Sequence, residues 1–155
     1  MASAKRKSAP GDELVLEEFL PYRLSILSNR ISRAIAARYA ETFNLTIPEW
    51  RIIAVLGRAE ALSAKDIAEA TEMDKVAVSR AVARLVAAKR VAARADRADA
   101  RRQNLSLTRE GESVYARIAP IALASERKLL AALDARERAQ LDALLDRLLS
   151  AARSL

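Results

Sequence analysis

The side chains best suited to chemistry in this 155-residue chain are arginines, and their types and spacing fit anion recognition. Arg80 and Arg84 stand four residues apart, with Lys75 and Ala77 a turn before them, inside a stretch that reads as a helix. Val78, Val82, Leu85 and Val86 recur there at helical spacing and define the opposite, core-facing side. A short-chained cationic face can approach a groove closely and offer guanidinium forks to guanine O6 and N7. Two arginines alone suit a solvated helix face equally well. A second cluster follows in Ala95–Arg102, where Arg97, Arg101 and Arg102 are interleaved with Asp96 and Asp99. An Arg-bearing loop on a two-stranded stalk suits phosphates or a narrow minor groove, whose negative potential favours Arg. The acidic pair would serve to orient the guanidinium groups.

Charge is concentrated here. Asp74 to Arg109 holds ten Lys or Arg and three Asp, whereas the rest of the chain has seventeen basic and seventeen acidic residues. The whole formal excess of +7 lies in this segment, which points to a polyanionic partner bound in a salt-dependent way.

Other chemistries lack their residues. With no Cys and no His, disulfides, thiolate chemistry, imidazole bases and the usual zinc sites drop out. Three glycines, none in a phosphate-binding fingerprint, leave no Rossmann or P-loop site. No paired carboxylates or Ser–Lys set converge, so we expect no enzyme, no cofactor and no metal. No stretch is apolar for about 18 residues, and the basic start MASAKRKSAPGD has no apolar segment after it. The expectation is a cytoplasmic protein, not membrane-bound, with a flexible basic tail over residues 1–12.

These clusters need elements to position them. Low Gly and Pro with 52% hydrophobic residues favour a mainly α protein. A long helix is expected from about Leu14 to Tyr39, with Pro21 bending it or marking where its stable part begins. Thr46-Ile47-Pro48-Glu49 has capping-box side chains and opens a helix to about Arg58, with Trp50, Ile53, Ala54 and Leu56 in the core. Ser63-Ala64-Lys65-Asp66 opens a second, shorter helix to about Ala70. Thr71-Glu72-Met73 is the turn before the cationic helix. Arg90–Arg94 and Gln103–Leu107 are the strands of a small β hairpin. Two short helices, a tight turn, a basic helix and a hairpin make a winged helix-turn-helix.

After the hairpin, Thr108 caps a helix from Arg109 to about Leu133, interrupted at Pro120. Asp134-Ala135-Arg136-Glu137 starts a last helix, whose Leu141, Leu144, Leu145, Leu148 and Leu149 form a broad stripe. That stripe could complete an intramolecular bundle, but with the first helix it better serves a homodimer. The organisation read from the sequence is a dimerisation helix over 13–44, the winged module over 45–108 and dimerisation helices over 109–155. Two basic helices about 34 Å apart would meet successive major grooves of double-stranded DNA at an inverted repeat.

The segments LPYRLSILSNRISR (20–33), LTIPEWRIIAVL (45–56), LSAKDIAEATEMDKVAVSRAVARL (62–85) and DRADARRQNLSLTREG (96–111) resemble the MarR family of transcriptional regulators, from Leu16 onward. The resemblance implies a homodimeric winged helix-turn-helix regulator, most often a repressor. It implies DNA contacts at Lys75, Val76, Ala77, Ser79, Arg80 and Arg84, and at a wing where Asp99 holds Arg101 for the minor groove. It also implies release by a small phenolic or aromatic carboxylate in a crevice between the dimer helices and the winged module.

Candidates for that crevice are Tyr22, Arg23, Ser28, Arg30, Arg38, Trp50 and Arg51, since a ring can stack on the ligand while a guanidinium pairs with its acid. Trp50 also suits the core, and Arg23 or Arg30 a dimer contact. Two departures stand out: Lys89 occupies the turn after the cationic helix, where the family commonly has Gly, and the first helix lacks the Cys of the peroxide-sensing branch.

Overall fold

A computed structural model describes residues 14–95 and 103–155. Helix α1 (Leu20–Ala36) is followed by the single turn α2 (Ala40–Phe43), then α3 (Ile47–Leu56), α4 (Ala64–Thr71) and α5 (Lys75–Ala87). Strands β1 (Val91–Ala95) and β2 (Gln103–Leu107) precede the long α6 (Arg109–Leu130) and α7 (Ala135–Ala152). The result is a mainly helical protein with one small antiparallel hairpin amid the helices.

The local polar chemistry sets most of the helix starts. The hydroxyl of Thr46 accepts the Glu49 amide, and the Glu49 carboxylate accepts the Thr46 amide at 2.7 Å. Ser63 with Asp66, and Asp134 with Glu137, close the same reciprocal box at α4 and α7. Asp74 caps α5 by accepting the Ala77 amide at 2.9 Å. Each box satisfies amide donors that a helix start leaves without partners.

Helix α1 does not extend from Leu14 to Tyr39. Phe19 is extended and Pro21 lies in the first turn, so the stable helix begins at Leu20. It ends at Ala36 because the chain turns into α2, which stops at left-handed Asn44. Helix α3 stops at Leu56, two residues before Arg58, and its buried face includes Ile52. Pro120 does not interrupt α6: an exposed ring forfeits one main-chain bond while the helix continues to Leu130. On α5 the buried residues are Val78, Ala81 and Leu85, whereas Val86 is exposed.

The core sits where α3, α5, α6 and the hairpin meet, and includes Ile52, Ile53, Leu56, Ile67, Leu85, Leu105, Val114 and Ile118. Val91 pairs with Leu107 and Ala93 with Leu105, and Val91 and Leu105 are the buried members of these rungs. Leu62 exchanges main-chain bonds of 2.8 and 2.9 Å with Leu105, fastening the hairpin to the α3–α4 connection.

The end of α5 is tied off tightly. The Arg90 amide bonds to the Leu85 carbonyl and the Lys89 amide to that of Val86, the two bonds of a Schellman motif. Lys89 is left-handed at φ 58°, so this chain accepts that backbone with a lysine. Arg90 therefore precedes β1, and its guanidinium bonds to the Phe43 carbonyl.

Neither α1 nor α7 buries a residue within the protomer. Leu20, Leu24 and Leu27 on α1 and Leu144, Leu145, Leu148 and Leu149 on α7 are all exposed. An intramolecular bundle over the C-terminal leucines is therefore not formed.

Candidate nucleic-acid interface and crevice

Asp74 fixes the first turn of α5, and Val78, Ala81 and Leu85 hold its inner side in the core. That packing leaves Lys75, Val76, Ser79 and Arg80 exposed on one face, with Ala77 partly buried at its edge. Val76 is 57% exposed, an apolar group presented to solvent beside two cations. Such a group suits a thymine methyl, as the cations suit phosphates or base acceptors. A cleft of about 780 Å³ separates α5 from the hairpin and is lined by Lys65, Lys75, Ser79, Ala83, Ala93 and Gln103. Lys75 and Ser79 of the helix and Ala93 and Gln103 of the hairpin therefore face one cleft.

Arg84, expected beside Arg80 among the DNA contacts, is ion-paired while its side chain stays 59% exposed. Its Nε lies 2.9 Å from Glu49 Oε1, and the Glu49 side chain is only 4% exposed. Wing residues Arg97, Asp99, Arg101 and Arg102 lie outside the described residues; their flanks, Ala95 and Gln103, pair as the last rung of the hairpin.

The seven crevice candidates do not converge. Trp50 and Arg51 of α3 line a cavity of about 120 Å³ with Ser32, Ile35, Tyr39 and Ile47, at the junction of α1 and the winged module. Tyr22, Arg23 and Arg30 line a separate, shallower cleft of about 320 Å³ along α1. Arg38 Nη1 lies 3.4 Å from Ser125 Oγ, and Ser28 is exposed on α1 away from both cavities.

Trp50 meets Tyr39 in the smaller cavity, ring centroids 5.8 Å apart, and Tyr115, outside its lining, at 6.2 Å. Arg51 Nη2 lies 3.5 Å from Ser32 Oγ, so a cation and a hydroxyl border the aromatic wall. Burial pushes the Tyr39 hydroxyl up to about 12, against the lowering field of Arg51 and with a small raising contribution from Glu49. It stays a neutral donor at any physiological pH.

Tyr39, Ser32 and Ile35 were not among the sequence candidates. Tyr39 entered the sequence reading only as the last residue of the expected first helix. Glu49 was recognised only as a cap; its ion pair joins residues 35 positions apart and leaves no local pattern. Among the described residues, no three His, Cys, Asp or Glu come together to hold a metal ion, and no helix is long and apolar enough to cross a membrane.

Known proteins share this arrangement. Residues 43–102, from the end of α2 to the wing, match the MarR family. A MarR/EmrR-family transcriptional regulator from Acinetobacter sp. ADP1 superposes with a TM-score of 0.83 at 27% identity, over 92% of this chain and 100% of that one. MepR of S. aureus, solved in complex with DNA, superposes at 0.77 and 25% identity, over 86% of this chain and 98% of its own. Bordetella bronchiseptica BpsR, whose DNA binding is regulated by 6-hydroxynicotinic acid, shares the fold at 0.77 and 24% identity, over 88% and 96%. No curated protein sequence matches the chain. The family pattern in the winged module and the fold shared with the flanking helices make this chain homologous, over its winged module, to the MarR family of winged helix-turn-helix, DNA-binding transcriptional regulators.

Proposed function

We propose that the chain acts as a homodimeric repressor on an inverted-repeat operator and leaves DNA when a small aromatic or phenolic carboxylate enters the crevice beside Trp50. The observation that carries this reading is the exposed face of Lys75, Val76, Ser79 and Arg80, whose Lys75 and Ser79 border the same cleft as the hairpin. Arg97, Arg101 and Arg102, with Asp99 as the orienting carboxylate, serve as the minor-groove part of the contact. The domain roles are those read from the sequence: residues 45–108 bind DNA, and 13–44 with 109–155 join the protomers through the uncovered leucines of α1 and α7. The DNA complex of MepR supports the docking mode.

Ligand release rests on the cavity's chemistry. Trp50 offers a stacking face, the Tyr39 hydroxyl a neutral donor, and Arg51 a guanidinium for a carboxylate. Regulation of BpsR by 6-hydroxynicotinic acid, an aromatic carboxylate, supports the ligand class. The effector acts by favouring a spacing of the two winged modules that no longer fits consecutive grooves.

Trp50 is the chain's single tryptophan, so its emission reports the crevice directly. Saturable quenching by hydroxylated aromatic carboxylates, abolished in Arg51→Gln and accompanied by release of a labelled operator duplex, is the expected result. Quenching without release would remove the repressor-release mechanism.

A further inference from the structure

We infer that Arg84 is a positioning residue, held by Glu49 to set the orientation of the DNA-reading helix, and does not itself bind DNA; this rests on the DNA-binding reading above. Glu49 is buried, and both of its carboxylate oxygens are engaged. Oε2 accepts the Thr46 amide at 2.7 Å and the Thr46 hydroxyl at 2.8 Å, fixing the start of α3. Oε1 takes the Arg84 Nε at 2.9 Å, fixing α5 one turn beyond Arg80. One carboxylate thus ties the helix that carries Trp50 and Arg51 to the helix that faces DNA.

The geometry favours a strut over a base contact. Arg84, although its side chain is 59% exposed, is bound through Nε to a buried acid that holds it in one pose, and its charge is compensated at contact distance. Arg80 has no ion-pair or hydrogen-bond partner among the described residues and lies on the exposed face. The two arginines of the cationic helix have different work: Arg80 meets the DNA, and Arg84 holds the helix that presents it.

Salt dependence separates the two roles, because each phosphate-neutralising cation adds about 0.9 to the slope of log K against log salt. Operator and unrelated duplexes of equal length are titrated at several salt concentrations with the full chain and with Arg80→Gln, Arg84→Gln, Glu49→Gln and the double variant E49Q/R84Q. Circular dichroism confirms that each variant is folded, and Arg84→Met, which removes the charge but keeps the aliphatic stem, stands in if Arg84→Gln is not. The strut predicts that Arg84→Gln and Glu49→Gln each weaken operator binding by about tenfold with the salt slope unchanged, and that the double variant is no worse than either. Arg80→Gln lowers the slope by about one charge.

A slope reduced by a full charge in Arg84→Gln, or operator affinity untouched in Glu49→Gln, would overturn the strut while leaving DNA binding in place. Failure of the unsubstituted chain to bind either duplex would instead overturn the DNA-binding reading beneath it.

Discussion

Single side chains of this protein serve two structures at once, and that is where their titration and backbone strain become measurable. Tyr39 is 1% exposed, and burial raises the pKa of its hydroxyl to about 12 from the ordinary value of 10.0. The folded state therefore keeps a proton that the unfolded chain releases near pH 10. The stability this confers is fully present below that pH and is lost as pH rises through 12. Thermal melts between pH 9 and pH 12 should show a fall in midpoint that Tyr39→Phe makes shallower; an identical fall in both proteins would assign it to other groups. Lys89 gives a second residue-scale test. At φ 58° its Cβ crowds the backbone, and Lys89→Gly should stabilise the fold by roughly 1 kcal/mol in denaturant unfolding. A destabilised variant would mean that the lysine side chain contributes more than the strain costs.

Among the elements, capping and periodicity were legible in the sequence and long-range pairing was not. Thr46 with Glu49, Ser63 with Asp66 and Asp134 with Glu137 each announced a helix start within four residues, and each closes as a reciprocal box. The hairpin was legible to within one residue, because the alternation of Leu105 and Leu107 matches a strand with one covered face. The strand before it was shifted by one, since Arg90 completes the Schellman motif, which local hydrophobicity does not encode. The first helix was drawn too long for a related reason: an apolar stripe continues through Tyr39, but backbone turns divide it. The crevice was the least legible part, since Tyr39 and Trp50 meet only after α1 and α3 pack. Close packing also explains Gly111, the last residue of the 96–111 segment. A Cβ on Gly111 would come within 2.0 Å of the Arg90 carbonyl oxygen, where α6 begins against the hairpin. Gly111→Ala should therefore cost about 3 kcal/mol or more, read from the urea midpoint. A loss under about 1 kcal/mol would show that α6 shifts freely against the hairpin.

Across the whole molecule, a well-packed winged module is flanked by helices whose apolar faces remain uncovered in one protomer. Leu144 and Leu148 are 52% and 44% exposed on a helix that buries nothing of its own. Replacing both with Glu should leave the circular dichroism unchanged, convert the dimer to a monomer in sedimentation, and weaken operator binding by about a hundredfold or more, because the second half-site no longer binds at high effective concentration. A variant that remains dimeric would place the interface elsewhere. The concentrated charge and the exposed α5 face both point at duplex DNA, so the most direct measurement is a titration of the full chain. Labelled duplex from the region upstream of its own gene is set beside an unrelated duplex of equal length, at two salt concentrations. The account predicts one dimer on an inverted repeat, preference over the unrelated duplex by about a thousandfold, and affinity that falls steeply with salt. Equal affinity for the two duplexes, or affinity indifferent to salt, would contradict it.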